Sequence, residues 1–443
     1  MDAFRALCAV AVLSLGFPRP AAAGNDDGVL IGNEASLTGG AVTATLNDGT
    51  SLWYNPAGLA LAESASVDVT GSAFTLRWYI APSFTTTTTG VRADGDVVEI
   101  VSVPSALTYV RPVGDDLRIG LGVFVPQLND VSIKTNVLGD DGTNMASLRV
   151  SLTQSSSTYY VGGGIGWSAT PRFRVGLSLF VSYLSVFASS QFWASEMTPT
   201  SNVFVGASSL VSVKVFGFEA RLGAQWEPVD GLHLGLSVEA PDVTLVSSVD
   251  VDATTGVAAD VEGEDPFLEF TPEDESSFEF DAGVSSPVRI RAGVAYAWDR
   301  GWVSLDGDIQ PAYSNQELVV DREFTWNLRA GARFHLFDKV SAGAGLFTDR
   351  SPVDAQRLEF SELQADFYGL TLGIHFNRAY DLGDEEDSDA VVFSTTIGFR
   401  YAVGFGEVGG LILAPGSDDL FLDQVRDITI HEFSLLLGSA LYL

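Results

Sequence analysis

Apolar residues recur at every second position along most of this chain, yet nowhere after residue 24 do they run for the roughly 18 consecutive positions that a membrane-spanning helix needs. Over 173–187, Phe173, Val175, Leu177, Leu179, Val181 and Tyr183 share one face, and Arg174, Gly176, Ser178 and Ser182 share the other. Segments 288–298 and 324–336 repeat the pattern, with Arg289, Arg291, Asn327, Arg329 and Arg333 opposite the apolar positions. A period of two puts successive side chains on opposite faces of an extended strand, so the chain reads as all-β.

Alternation alone does not separate a soluble sandwich from a membrane barrel, but the connections do. Strands are expected at 65–80, 97–111, 117–128, 146–168, 173–190, 208–227, 232–250, 284–299, 302–313, 322–336, 339–350, 363–377, 390–405 and 427–443. The linkers 112–116, 169–172, 228–231, 300–301 and 337–339 are tight, and those between them are long. Short turns at one end and long loops at the other mark a transmembrane antiparallel β-barrel of about 14 strands. Closing such a barrel leaves no unpaired edge in lipid. Trp167, Phe173, Trp226, Trp298, Trp302 and Phe337 sit beside the tight turns, where an aromatic girdle is expected.

Composition agrees. Charged residues are 18% and hydrophobic ones 46%, against roughly 25% charged in soluble domains. The net charge of −33 excludes nucleic acid as a partner, since phosphates would be repelled. Acidic residues gather at 250–281 and 381–389, which reads as solvated loops. Asp250, Asp252 and Thr254 lack the glycine and closing glutamate of a calcium loop. At the N-terminus, Arg5, an apolar run over 6–17 and Ala21, Ala22 and Ala23 have the form of an export signal spanning 1–23. Cys8 is the only cysteine and lies within it, so the remaining chain is expected to use neither disulfides nor thiol chemistry.

If the apolar face meets lipid, the opposite face lines the bore. Turn geometry then sets Arg291 across from Asp308, Gly293 across from Asp306, and Arg221 across from Glu239. Such pairs are read as structural, worth roughly 0.2–1 kcal/mol each, the alternative being a charge ladder that guides a polar solute. His233, His335, His375 and His431 are expected on the inward face, dispersed and without acidic partners, so no metal site and no cofactor are expected. His431 and Ser434 on one strand do not make a hydrolase pair. The glycines of 162–166 lie within a strand with no helix following, so they read as room inside a barrel and not as a phosphate loop.

The stretch that does not fit the wall is Ser51-Leu-Trp-Tyr-Asn-Pro-Ala-Gly-Leu-Ala60, where Asn55-Pro56 starts a turn crowded by Trp53, Tyr54 and Leu59. With Gly39-Gly-Ala-Val-Thr-Ala-Thr-Leu-Asn-Asp48 before it and about fourteen strands after it, the chain resembles the FadL/TodX family of outer-membrane transporters for long-chain fatty acids and other hydrophobic compounds. The resemblance implies a hatch over 24–62 inside a barrel of 63–443, with Trp53, Tyr54, Asn55, Pro56, Ala57 and Leu59 as its core. It implies capture of a hydrophobic small molecule by apolar extracellular loops, for which Phe192, Trp193, Met197 and Phe204, then Phe267, Leu268, Phe270, Phe278 and Phe280, are the candidates; the same residues would serve as a loop-on-loop cap. It further implies a pocket beside the N-terminus of the hatch and sideways release at a kinked third strand, here carrying Gly120, Gly122 and Pro126. The implied protein is not an enzyme; it is a monomeric passive channel surrounded by outer-membrane lipid. The alternative is the same barrel as an anchor or assembly partner for a secretion or surface complex.

Overall fold

The computed structural model describes residues 25, 28–87, 90–102, 104–140, 142–263, 265–272, 276–279, 282–316, 320–355, 358, 362–380, 391–413 and 421–443. The expected export signal, the acidic stretch 381–389 and Phe280 lie outside the described residues.

Fourteen antiparallel wall strands follow one another around a closed barrel. They are β1 (Ser66–Ile80), β2 (Val97–Val101 continued by Pro104–Val113), β3 (Leu117–Asp140), β4 (Met145–Thr170), β5 (Phe173–Met197), β6 (Ser201–Val229) and β7 (Leu232–Glu239 continued by Asp242–Val261). Then come β8 (Phe267–Pro272, Ser276–Phe278 and Gly283–Ser286, continued by Arg289–Trp298), β9 (Gly301–Gln310), β10 (Thr325–Phe337), β11 (Val340–Asp349), β12 (Leu363–Tyr380), β13 (Val391–Leu413) and β14 (Phe421–Tyr442). Closure is made by β1 against β14, running from Ser66 opposite Tyr442 to Ile80 opposite Thr429. Every wall strand thereby has a laddered neighbour on each side for at least part of its length, as a bilayer demands of the part that crosses it.

The wall is inverted relative to a soluble protein. Leu121, Leu222 and Leu305 on the outer face are 62%, 58% and 53% exposed, while Arg221, Asp306 and Arg329 on the inner face are 2%, 1% and 3% exposed. An apolar exterior around a charged interior is stable only with hydrocarbon outside. Trp167, Phe173, Trp226, Trp298 and Phe337 are exposed beside the tight turns. Trp302 departs from the expectation. It shares the parity of buried Ser304 and Asp306, and so turns inward, because the turn at Arg300 and Gly301 sets the strand's phase.

The strands differ in length. Strand β4 has 26 residues and β6 has 29, whereas β9 and β11 have 10 each. Roughly 9–11 tilted residues cross a bilayer, so β3 to β7 continue well beyond it. Sequence alternation was cut at 128, 190 and 250, where Ser- and Thr-rich stretches blur the polar and apolar faces, yet the ladders run on. The residues expected in capture loops are therefore on strands. Phe192, Trp193 and Met197 belong to β5, Phe204 to β6, and Phe267 and Phe270 to β8.

Residues 28–62 lie inside the bore. They form α1 (Asn33–Thr38), α2 (Ser51–Tyr54) and a 3-10 turn (Pro56–Leu61). Ile31, Leu37, Leu46, Leu52 and Leu59 are fully buried among wall residues. Further out, Thr85–Thr87 pairs in parallel with Leu411–Leu413 of β13. Above it Val137, Leu148, Val150, Phe192 and Leu411 form an apolar interior.

Candidate functional site

Asn55 fixes the inner segment. Its backbone is extended, as a residue before proline prefers, and Pro56 opens the 3-10 turn with its ring-set φ. The Asn55 Oδ1 accepts from Ala57 N at 3.2 Å, and Nδ2 donates to Thr43 O at 2.8 Å and to Ala224 O of β6 at 3.1 Å. One side chain thus ties two parts of the segment to each other and to the wall. That approach requires a bare wall: a Cβ at Gly223 would lie 2.8 Å from Pro56 Cδ, and one at Gly176 would lie 2.5 Å from Ala57 N. Ala57 itself is fully buried there.

Trp53 has ring neighbours Tyr160 at 5.0 Å, Phe124 at 5.5 Å and Phe180 at 6.1 Å. The Arg221 guanidinium lies 3.6 Å from the Trp53 ring centroid, where the negative ring face attracts it. Arg221 also donates to Trp53 O and to Glu219, and its Nη2 is 3.4 Å from Glu239. Tyr54 accepts from Ile31 N at 3.1 Å through its hydroxyl. Further anchors are Thr43 N to Asp306 at 2.7 Å, Ser304 Oγ to Ala41 O at 2.6 Å, and the ion pair of Glu34 with Arg333. Burial pushes the Glu34 carboxyl above its ordinary range, and Arg333 opposes that.

The expected cross-strand neighbours are present, Arg291 with Asp308, Gly293 with Asp306, and Arg221 with Glu239. The Arg221–Glu239 ion pair follows this register, whereas Asp308 also draws arginines from other positions. Asp308 is held by Arg289 at 2.9 Å and by Arg329, because long arginine side chains reach diagonally, while Arg291 lies 5.3 Å from the Tyr54 ring.

The third strand has two regimes. From Leu117 to Phe124 it pairs with both β2 and β4, and Gly120 and Gly122 face Leu52 of the inner segment within this regular part. The register with β4 then shifts between Phe124 and Gln127, so Val125 and Pro126 fall at a break. Proline cannot donate to a ladder. Beyond it, β3 stays paired with β4 alone; Val97–Val101 of β2 pairs with β1, and among the described residues no ladder joins it to β3. Side chains span that seam instead. Glu99 accepts from Asp130 N at 2.6 Å and from the Tyr79 hydroxyl at 3.0 Å. Arg77 donates to Asn129 Oδ1 at 2.6 Å and to Glu432 at 2.6 Å, with Glu99 3.5 Å away. From inside, Val29 packs against Val101, Val125 and Leu128.

Two cavities border the seam. The larger, about 230 Å³, has Trp53 on its inner-segment side and Pro126 on its wall side, and reaches Tyr160, Leu184, Val213, Val215, Arg221 and Asp242. The smaller, about 60 Å³, lies beside Asn25 and Val29, with Arg77, Gln127 and Asn129. The pocket expected beside the segment's N-terminus is this small one, and most of the space is instead above Trp53. A third, about 190 Å³, is formed on the strand extensions by Trp193, Phe204 and Leu268 with Gly206 and Val257. Trp193 and Phe204 rings are 5.8 Å apart and Met197 is exposed, whereas Phe192 turns into the bore. Phe267 is partly exposed, and Phe270 pairs with Gly256 through its backbone.

His375 faces inward, bonded to Thr396 and Asn377 at 2.8 Å each. His233 and His335 share the inner parity of their strands. His431 does not: it pairs with Trp78 on the outer face and bonds the Tyr401 hydroxyl at 3.0 Å, while Glu432 and Ser434 face the bore. Strict alternation places it with Phe433, so the inward expectation was a phase error, and Ser434 and His431 are on opposite sides of the wall. Glu99, Arg77 and Asp242 were missed in the sequence. The available signal was a charged residue at inward parity in an otherwise apolar strand, as Glu99 is between Val97 and Val101.

A closed barrel with a lipid-compatible exterior, an occupied bore and a broken third strand defines the class of outer-membrane barrel transport proteins. The family model described as outer membrane protein transport protein (OMPP1/FadL/TodX) matches residues 28–260, and the chain belongs to that family. Solved structures share the fold at low identity. A Pseudomonas aeruginosa FadL homologue is 13% identical with a TM-score of 0.59, over 95% of this chain and 99% of that one. The P. putida toluene transporter TodX is 13% identical with a TM-score of 0.55, over 95% and 99%. The CymD monoaromatic hydrocarbon channel is 11% identical with a TM-score of 0.51, over 93% and 97%. No curated protein matches the sequence.

Proposed function

We propose that the protein is a passive channel for compact hydrophobic molecules, with residues 24–62 as its hatch and 63–443 as a monomeric barrel in outer-membrane lipid. The observation that carries this reading is the cavity of about 230 Å³ bounded by Trp53 of the inner segment and by Pro126 of the broken strand. A molecule there has the hatch beneath it and the weakest stretch of wall beside it. Capture begins at the exposed Trp193, Phe204 and Leu268, with Met197 and Phe267 nearby, where covering apolar surface gains roughly 25 cal/mol per Å². Phe192 and the apolar interior above the bore continue the path inward. Release is sideways, between Val97–Val101 and the part of β3 beyond Pro126, with Gly120 and Gly122 giving the hatch room below. The volume favours compact cargo over a long-chain fatty acid, since pockets for drug-sized ligands run to about 300–1,000 Å³. No chemistry is assigned to the protein beyond binding and passage.

The test is uptake of a radiolabelled alkylbenzene into cells with and without the protein in the outer membrane. The reading expects faster, saturable uptake with it; equal rates in both strains would sink it.

A further inference from the structure

Strand β7 breaks at Ala240 and Pro241, and the residue that resumes it, Asp242, lines the large cavity. Its carboxylate is poorly occupied. Ser182 Oγ is 3.4 Å from both oxygens and Tyr160 Oη is 3.5 Å from one, all beyond the roughly 2.5–3.0 Å of a good O–H···O bond. Among the described residues no ion pair reaches it. The cationic groups of the same lining have work elsewhere: Arg221 holds Glu219 and Glu239, Arg289 holds Asp308, Arg291 lies by Tyr54, and Arg322 donates to Gln310 at 3.4 Å. The apolar part of the cavity is Trp53, Leu184, Val213 and Val215. Asp242 is half-buried at the cavity wall, so a donor arriving there would gain a charge-assisted bond that the long contacts to Ser182 and Tyr160 do not supply.

We infer that the cavity selects a compact apolar molecule carrying one hydrogen-bond donor, which Asp242 receives while Trp53, Leu184 and Val215 cover the apolar body. The inference rests on the uptake reading above and names the class of cargo. A donor hydroxyl completes the bonds that Ser182 and Tyr160 leave long. A carboxylate of the same size meets Asp242 as a like charge. A plain hydrocarbon enters but leaves Asp242 unsatisfied.

The test is calorimetric binding of 4-ethylphenol, ethylbenzene and 4-ethylbenzoate to the purified protein in detergent, for the wild type, Asp242→Asn and Asp242→Ala. Unshifted heat-modifiable mobility confirms that each variant is folded, and Asp242→Asn keeps the shape if the alanine variant is unstable. The phenol is expected to bind about tenfold more tightly than ethylbenzene, a charge-assisted bond's worth, with the benzoate weakest. The phenol preference is expected to shrink in Asp242→Asn and to vanish in Asp242→Ala. Equal affinity for phenol and hydrocarbon, an unchanged preference in both variants, or tightest binding of the benzoate through the arginines would each overturn it. Ethylbenzene uptake in cells separates the two claims, because a channel that passes it without phenol preference defeats only this inference.

Discussion

The two lengths of the third strand differ in composition and in what holds them: Leu117–Phe124 is largely apolar and glycine-bearing, whereas Gln127, Asn129, Asp130, Ser132 and Lys134 follow Pro126. Leu117–Phe124 is laddered on both edges and backed by Leu52 and Leu59. Past Pro126 one edge keeps its ladder, and the other is held by Glu99 and Arg77 through side-chain bonds. A ladder of backbone bonds has no low-energy way to part in lipid. A few side-chain bonds facing polar groups and a cavity can exchange partners. The comparison teaches where this wall is structure and where it is a candidate door, and it predicts that substitutions on the first side cost stability while those on the second change flux.

The largest effect is expected beneath the cavity. Arg221→Met leaves buried Glu219 and half-buried Glu239 without their cation, and should lower barrel stability by about 3–5 kcal/mol, read from urea unfolding in bilayers. A small loss would mean that the network is hydrated and does not belong to the rigid side. Next, Asn55→Ala removes three buried bonds of the inner segment and should cost about 1–3 kcal/mol. Amide exchange over 43–57 should speed up while the barrel still inserts; failure to insert would reassign Asn55 to folding. At the seam, Glu99→Gln keeps shape and weakens the bridge while Arg77 keeps Glu432, so uptake should rise severalfold with unfolding shifted by only about 1 kcal/mol. A large stability loss with unchanged uptake would erase the contrast between the two halves. The smallest effect is expected for Trp193→Ala on the exposed extension, where uptake at low concentration should fall about twofold, as one aromatic contact of roughly 0.5–1.5 kcal/mol allows.

The barrel was legible because its driving force is local: alternation and linker length are written residue by residue. Cross-strand neighbours such as Arg221 and Glu239 followed from turn register alone. The Arg221–Glu239 ion pair came with that register, but the arginines that hold Asp308 did not, since Arg289 and Arg329 reach it by side-chain length. Strand ends at 128, 190 and 250 were read short, because Ser and Thr fit either face. That hid the fact that Phe192 and Trp193, adjacent in sequence, point to opposite sides of one wall. Asn55 and Pro56 stood out as a break in pattern, but Ala224 as its partner, 169 positions away, is a product of the fold. The seam was visible only as Pro126; that Glu99 bridges it depends on where two non-adjacent strand segments come to rest.

The central claim is tested most directly by stapling each half of β3 to β2. Outside residues 1–23 the chain has no cysteine, so introduced pairs react cleanly. One pair, Val98→Cys with Asp130→Cys, is joined across the seam by a short bifunctional maleimide; the control, Leu107→Cys with Val123→Cys, joins partners that are already laddered. Hydrophobe uptake is predicted to fall to background with the seam stapled and to be unchanged with the control. Full uptake through the stapled seam would contradict the account.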